Sequence, residues 1–276
     1  MQEKVRLDQL ILDLGYFDSR EKARSAIMQG CIFIDGKKID KAGHQINLKK
    51  FYEKLDENTA YLKVDDKLQR YVSRGAFKLE AAYKEFNLDF TDTVVFDIGA
   101  STGGFTDFSL QHGAKKVLAL DVGKAQLHYK LQQDERVINL EGVNFRNFTI
   151  EDLQGVLNEN ELEKIDYMVS DLSFISLTKV AERIVELARL FNPFPRIVLL
   201  LKPQFEAEKN IIDKCKGIIR DDKVREEIVS KLIIDLEDLG LKLKNKVECP
   251  VKGTKGNVEF LAEFELIELT LKFLIK

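Results

Sequence analysis

The chain has 276 residues, of which 45% are hydrophobic and 32% charged, and a formal net charge of −3. This composition excludes a disordered polymer, because a chain that is apolar and nearly neutral can bury a hydrophobic core. The length predicts two domains, since a single domain of about 150 residues would leave much of the chain unexplained.

The charge is divided unevenly along the chain. Residues 1–50 hold ten Lys/Arg against seven Asp/Glu, a net charge of +3, whereas the remainder holds 33 against 39, a net charge of −6. A mildly basic head thus precedes an acidic body, so the binding partner of each part has to be inferred from the charge of that part. The nearly neutral total therefore does not exclude nucleic acid as a partner.

Cysteine, histidine and apolar patterns bear on the compartment and on metals. Cys31, Cys215 and Cys249 lie far apart in the sequence and form neither a disulfide framework nor a metal-ligand pattern. The three histidines have no Cys or His at ligand spacing, so we expect no metal. The N-terminal stretch carries charges where a signal peptide would be apolar, and no apolar run approaches the ~20 residues of a membrane span. We therefore expect a cytoplasmic protein.

The head of the chain predicts two helices followed by short strands. Apolar residues at helical spacing over 7–14 predict a first helix that stops at Gly15. Ser19 can cap a second helix that runs to Gly30.

A hairpin is predicted after these helices. Asp35-Gly36 favours a tight turn between a strand at 31–34 and a return strand at 37–39. The polar stretch 49–70 has weak periodicity and is interpreted as the end of the small domain plus a linker.

From about residue 71 the pattern changes to apolar runs that alternate with helical segments. This βαβ alternation predicts a Rossmann-like α/β domain, a parallel sheet with helices on both faces. Strands are predicted at 93–98, 116–120, 136–140, 165–170 and 196–201, followed by a helix at 221–239 and a closing antiparallel pair at 241–249 and 257–265. We divide the chain into a small α+β domain at 1–62, a linker at 63–72 and the α/β domain at 73–276.

A glycine-rich segment follows the first strand of the α/β domain. It begins at Asp97 and has glycines at 99, 103 and 104 as it opens a helix, which predicts a nucleotide-like ligand at this strand end. The spacing G-x-x-x-G-G is neither the dinucleotide fingerprint nor a P-loop. A glycine-rich turn in which the aspartate only caps the helix is the alternative.

A second acid narrows the choice of ligand. Asp121 ends the next strand, 22 positions after Gly99, where a carboxylate can bind a ribose diol. Two acids so placed suit S-adenosylmethionine, which has an amino-acid end and an adenosine but no phosphate.

Other strand ends supply Asp171 and Lys202, which a doubly wound sheet would bring to the same crevice. Taken alone, each is more simply interpreted as a surface charge at a strand end, and this holds even more for Lys78 on the entry helix and Glu259 on the last strand. In the head, cations gather around the two helices and the hairpin, and they fit either a phosphate-contacting face or a solvated surface. These cations are Arg6, Arg20, Lys22, Arg24, Lys37 and Lys38.

Over nearly its whole length the chain resembles the TlyA family of haemolysins and ribosomal RNA 2′-O-methyltransferases, which is related to FtsJ. Its head resembles the RNA-binding module of ribosomal small-subunit protein four. The matching strings are Arg6-Leu7-Asp8, SREKA at 19–23, YVSRG at 71–75, DIGASTGGFTD at 97–107, ALDVG at 119–123, SDLSFIS at 170–176, KPQFEAE at 202–208 and KGNVEFL at 255–261.

The resemblance implies a class I methyltransferase domain with an RNA-binding head, acting on ribosomal RNA or ribosomal subunits. It implies a catalytic tetrad of Lys78, Asp171, Lys202 and Glu259. It implies cofactor contacts from Asp97, Gly99, Ser101, Gly103, Gly104, Phe105, Asp121, Asn144 and Asp171, and RNA contacts from Arg6, Ser19, Arg20, Lys22, Arg24 and Lys37. Transfer to a base amino group is disfavoured, because Ser170-Asp171-Leu172-Ser173 replaces the Asn/Asp-Pro-Pro-Tyr/Phe string expected for nitrogen targets.

The implied chemistry is transfer of a methyl group from S-adenosylmethionine to a ribose 2′-oxygen. Lys202 is the favoured base; it must then be a neutral amine, which burial and Lys78 favour and the two acids oppose. In the alternative, the tetrad chiefly orients the hydroxyl. Two other functions compete with the enzyme: an RNA-binding factor with a non-catalytic methyltransferase domain, and a membrane-lytic haemolysin.

Overall fold

The computed structural model of the chain describes residues 4–17, 19–28, 30–57, 61–65, 70–155, 157, 164–173, 175–191, 193–253 and 256–267. It divides into two compact units, Met1–Arg74 and Gly75–Lys276. The C-terminal tail beyond residue 267 lies outside the described residues.

The small unit combines helices with short strands. Its helices are α1 (Leu7–Asp13), α2 (Arg20–Met28) and α3 (Leu48–Glu57). Its strands are β1 (Lys4–Arg6), β2 (Ile32–Ile34), β3 (Lys37–Ile39), β4 (Gln45–Asn47) and β5 (Leu62–Val64). Strands β3, β2 and β5 form one antiparallel sheet, and β1 pairs with β4.

The two predicted helices and the hairpin are confirmed. The Ser19 hydroxyl accepts the N–H of Lys22 at 3.2 Å and so caps α2. Asp35 and Gly36 both take positive φ, 53° and 69°, as a two-residue turn between β2 and β3 requires.

The interpretation of 49–70 was wrong in part. Helix α3 occupies 48–57 and buries Phe51, and β5 pairs with β2, so the small unit extends into the predicted linker 63–72. Strands of three residues show no periodicity of their own and are stabilised by partners distant in the sequence, which is why β1, β4 and β5 were not predicted.

The large unit alternates strands and helices. Its strands are β6 (Val94–Ile98), β7 (Lys116–Asp121), β8 (Val137–Glu141), β9 (Tyr167–Ser170), β10 (Arg196–Leu201), β11 (Leu241–Glu248) and β12 (Phe260–Leu266). Its helices are α4 (Gly75–Glu85), α5 (Gly104–Gln111), α6 (Tyr129–Gln132), α7 (Ile150–Gln154), α8 (Thr178–Ala188), α9 (Pro203–Glu206), α10 (Lys209–Lys214) and α11 (Asp222–Asp238).

One mixed sheet forms the centre of this unit, in the order β11-β12-β10-β9-β6-β7-β8. The strands from β10 to β8 are parallel, and β12 is antiparallel to both β10 and β11. The predicted α/β fold and its closing antiparallel pair are therefore confirmed. Glu259 was expected on the last strand but lies just before it, where its carbonyl accepts the N–H of Cys249.

Helices cover both faces of the sheet. On one face Met168 and Phe96 pack in a core that includes residues of α8 and α11. On the other face Tyr167 contacts Phe90, whose ring also packs against α5. Adjacent residues of a strand point to opposite faces, so Tyr167 and Met168 identify the two layers.

The chain order of the strands reverses beside β6. From β6 the chain continues outward to β7 and β8, and it then returns to place β9 on the other side of β6. In open α/β sheets, ligands bind outside the carboxyl ends of the strands at such a switch point. The expected site therefore lies where the glycine segment and Asp171 leave β6 and β9.

Candidate active site

Four charged side chains from four separate elements meet at the carboxyl edge of the sheet. Lys78 Nζ on α4 lies 3.0 Å from a carboxylate oxygen of Asp171 and 3.0 Å from one of Glu259. Lys202 Nζ lies 2.5 Å from the other oxygen of Asp171. Asp171 follows β9, Lys202 follows β10 and Glu259 precedes β12, so the tetrad depends on the order of the strands.

The tetrad is largely buried. Lys78, Lys202 and Glu259 are exposed by only 8%, 4% and 2%. These values exclude the interpretation of the three residues as ordinary surface charges. Buried charges are tolerated when they are paired, and here two cations oppose two carboxylates.

The two lysines have different surroundings. Burial lowers the pKa of Lys78, but attraction to Asp171 and Glu259 outweighs it, so the pKa of this ammonium is raised. Lys202 instead contacts one carboxylate and one hydroxyl, donating to Ser173 Oγ at 2.6 Å. Lys78 is therefore a fixed cation that holds the two acids.

Ser173 and Gln204 complete this arrangement and were not predicted as site residues. Gln204 Nε2 donates to Glu259 Oε1 at 2.9 Å, which fixes this carboxylate from the side opposite Lys78. Both residues lie within strings that follow strand ends, at 170–176 and 202–208. Position at a strand end was the signal that could have identified them.

The glycine segment has the backbone that its sequence predicts. Gly99 and Gly103 have φ of 91° and 93°, and Ser101 has φ of 49°. A Cβ on Gly103 would lie 2.2 Å from Leu131 Cδ1, so any other residue would displace this side chain in addition to the strain of the positive φ. Gly104 begins α5, and the Phe105 side chain is buried in the protein.

Asp97 is buried below this segment with an incomplete set of partners. Its Oδ2 accepts the hydroxyl of Thr106 at 2.7 Å, whereas its Oδ1 has no hydrogen-bond partner among the described residues. Burial raises the pKa of Asp97 to about 7, although the Thr106 bond opposes the shift. A buried acceptor without a partner fits a ligand that brings a donor or a positive charge, as S-adenosylmethionine does.

The other predicted cofactor residues lie on neighbouring loops. Asp121 accepts the N–H of Ser101 at 2.8 Å and of Gly123 at 2.7 Å, which joins the glycine segment to the end of β7. Asn144 caps a 3-10 turn by accepting the N–H of Arg146 at 3.1 Å. Both side chains have a structural role, and their cofactor contacts stay predictions.

In the small unit a buried acid brings two of the predicted RNA-contacting cations together. Asp8 accepts two bonds from Arg6, at 3.0 and 2.8 Å, and pairs with Arg20 at 3.4 Å. The bond from Arg6 is the main cause that lowers the pKa of Asp8. Lys22 and Arg24 are exposed on α2 and Lys37 on the hairpin, while the Ser19 hydroxyl is occupied by its capping bond.

The sheet order, the glycine segment and the buried tetrad define an α/β methyltransferase domain. Residues 71–265 match the model of the FtsJ-like methyltransferase, and residues 5–49 match the S4 domain. The chain belongs to the FtsJ-like methyltransferase family and carries an S4 domain at its head.

Similar proteins cover almost the whole chain. Hemolysin A of Brachyspira hyodysenteriae is 42% identical over 94% of this chain and 99% of its own length. The 16S/23S rRNA (cytidine-2′-O)-methyltransferase TlyA of Mycobacterium tuberculosis is 34% identical over 94% of this chain and 89% of its own length. The solved structure of a protein named as a hemolysin from Streptococcus thermophilus is 37% identical, with a TM-score of 0.69 over 97% of this chain and 90% of its own.

No helix among the described residues is both long enough and apolar enough to cross a membrane.

Proposed function

We propose that the chain methylates the 2′-oxygen of ribose in ribosomal RNA, with S-adenosylmethionine as methyl donor and the S4 domain as an RNA-docking module. The observation that carries the proposal is the tetrad of Lys78, Asp171, Lys202 and Glu259, which ion pairs join at the switch point of the sheet, where the glycine segment also begins. Four charged side chains, one on α4 and the others just after β9, just after β10 and just before β12, converge in a largely buried cluster, which supports an enzyme over a non-catalytic binding domain.

The kind of nucleotide follows from a relative. The Mycobacterium tuberculosis protein is named for cytidine-2′-O methylation of 16S and 23S rRNA. We extend this substrate class, a cytidine ribose in ribosomal RNA, to this chain. Action on ribosomal RNA also agrees with the prediction of a cytoplasmic protein.

Each part of the site has a role in this proposal. Bound S-adenosylmethionine supplies an electrophilic methyl carbon on a positively charged sulfur. The glycine segment and Asp97 hold its amino-acid end, and Asp121 holds its ribose. Asp171 and Glu259 orient the reacting groups and are themselves fixed by Lys78.

A 2′-hydroxyl is a weak acid, so its proton has to leave as the new C–O bond forms. Lys202 Nζ, as a neutral amine, takes that proton, and Ser173 and Asp171 keep the nitrogen in position. In the second possibility the tetrad only positions the hydroxyl, and solvent takes the proton. These two mechanisms differ in how strongly the rate of methyl transfer depends on an amine at position 202.

The deciding experiment maps ribose methylation. Ribosomal RNA and intact subunits from cells that lack the protein are incubated with the full chain and S-adenosylmethionine, and 2′-O-methyl groups are located by their resistance to alkaline cleavage. We expect one or a few new sites at cytidines. No transfer to either subunit or to naked RNA would contradict the proposal.

A further inference from the structure

The segment 209–220, which follows Lys202 and α9, concentrates positive charge on an acidic unit. It holds four cations, all exposed, against the single acid Asp213, a net charge of +3. Residues 75–276 together hold 28 Lys/Arg against 34 Asp/Glu, a net charge of −6. The four cations of the segment are Lys209, Lys214, Lys216 and Arg220.

The fold does not neutralise these cations. Among the residues that the structure describes, no ion pair joins any of the four to a carboxylate. The acids that follow are occupied: Asp221 accepts backbone N–H groups at the start of α11, and Asp222 pairs with Arg225 at 2.5 Å. The charge of the segment is therefore available to an external partner.

Hydrogen bonds also fix the turn at residues 217–219 of the segment. The buried Asn257 side chain donates to Gly217 O at 2.9 Å and accepts the N–H of Ile219 at 3.1 Å. Arg225 donates to Ile219 O at 3.1 Å from the other side. Lys216 and Gly217 take the positive φ values, 52° and 79°, that this turn requires. A cationic segment that is already ordered loses little conformational entropy when it binds.

Asn257, which holds the segment by hydrogen bonds, lies close to the candidate active site in the sequence. Asn257 lies two residues before Glu259, so the two Cα atoms are at most about 7 Å apart. Glu259 in turn accepts the bond from Lys78 within the tetrad. A partner that contacts the segment is therefore placed beside the reacting centre.

The chemistry of the substrate identifies the partner. The carbon that bears a 2′-hydroxyl adjoins the carbon that bears the 3′-phosphodiester, so any ribose on the tetrad brings phosphates with it. We propose that the 209–220 segment binds the RNA phosphodiester backbone next to the target nucleotide, as a second RNA contact separate from the S4 domain. This inference rests on the proposed function and specifies how the same site holds its substrate.

The test compares two pairs of exposed lysines in the full chain. In K214Q/K216Q the segment loses two positive charges. The control K115Q/K231Q also loses two, one at Lys115 just before β7, where the amino ends of the parallel strands lie, and one at Lys231 on α11. Binding to ribosomal RNA is measured by filter retention over a range of salt concentrations, and methyl transfer by incorporation of labelled methyl groups. Equal thermal midpoints establish that both variants are folded.

For K214Q/K216Q we expect roughly tenfold weaker RNA binding at low salt and a log–log salt slope reduced by about 2. Its affinity for S-adenosylmethionine and its kcat at saturating RNA should match the control. Equal slopes in the two variants would overturn the inference. If the wild type binds RNA but transfers no methyl group, the proposed function fails, and the difference in slope still decides whether the segment contacts RNA.

Discussion

The two buried lysines of the tetrad show how one residue type takes two roles through its neighbours. Lys78 lies between two carboxylates at 3.0 Å, so its pKa is raised and it stays charged. Lys202 has one carboxylate and the Ser173 hydroxyl. Of the two, Lys202 is the one proposed above as the base.

Replacement of Lys202 by alanine should lower the rate of methyl transfer by about a hundredfold to ten-thousandfold, the range for loss of a general base. S-adenosylmethionine binding, measured by calorimetry, should change little. Lys231→Ala, an exposed lysine on α11, is the matched control and should keep its rate. A Lys202→Ala protein with full activity would contradict the base assignment.

Asp97 gives a prediction for pH. Its pKa of about 7 means that the carboxylate gains its charge as the pH rises from 6 to 8. A cationic ligand beside it favours the ionised form, so affinity for S-adenosylmethionine should rise over this range and binding should release a proton. Calorimetry in buffers of different ionisation enthalpy measures both effects.

The pH dependence should be absent in Asp97→Asn and present in Asp89→Asn. Asp89 is a suitable control because hydrogen bonds to Thr91 lower its pKa, so it does not titrate between pH 6 and 8. Equal pH dependence in wild type and Asp97→Asn would exclude Asp97 from the cofactor site.

At the scale of elements, the loops after β9 and β10 are joined by Glu206, the last residue of α9. Its carboxylate accepts the hydroxyl of Ser176 at 2.5 Å and the N–H of Leu177 at 2.8 Å, at the start of α8. These loops carry Asp171 and Lys202, which form the 2.5 Å ion pair of the tetrad. Burial is the main cause that raises the pKa of Glu206, and Asp235 on α11 adds to it.

Protonation of Glu206 should weaken the connection between the loops. Because its pKa is raised, wild-type kcat, measured at saturating S-adenosylmethionine, should begin to fall on acidification at a pH above the ordinary range of glutamate. Glu206→Gln should show a lower kcat at pH 8 and a flatter acidic limb. Glu208→Gln, a change at an exposed neighbour, should retain the wild-type profile; if all three profiles coincide, Glu206 does not position the loops.

For the whole molecule, the net charge of −3 is the sum of a basic small unit and an acidic large unit. Several acids of the large unit belong to the candidate active site: Asp97 lies where the glycine segment begins, and Asp171 and Glu259 lie in the tetrad. The small unit carries exposed cations around α2 and the hairpin. A nearly neutral total is thus compatible with RNA binding through local surfaces.

Arg24→Gln combined with Lys37→Gln should weaken binding to ribosomal RNA and lower the log–log salt slope by about 2. Arg6 and Arg20 are less suitable, because their loss would leave the buried Asp8 carboxylate unpaired. S-adenosylmethionine affinity should be unchanged, and K115Q/K231Q is again the control. If R24Q/K37Q has the wild-type salt slope, the basic face is a solvated surface.

The sequence by itself determined the features that depend on neighbouring residues. The helical spacing before Gly15, the Asp35-Gly36 turn, the apolar strands and the glycine segment are local patterns, and the structure confirms each of them. Resemblance of short strings added the four members of the tetrad, which periodicity alone presents as surface charges.

Only the tertiary structure decided which contacts form between residues that are distant in the sequence. The pairing of β5 with β2, the position of β12 between β10 and β11, and the contacts of Ser173 and Gln204 with the tetrad are of this kind. Their physical reason is shared: each is stabilised by a partner from another element, and burial or hydrogen bonding by such a partner leaves no period or spacing in the local sequence.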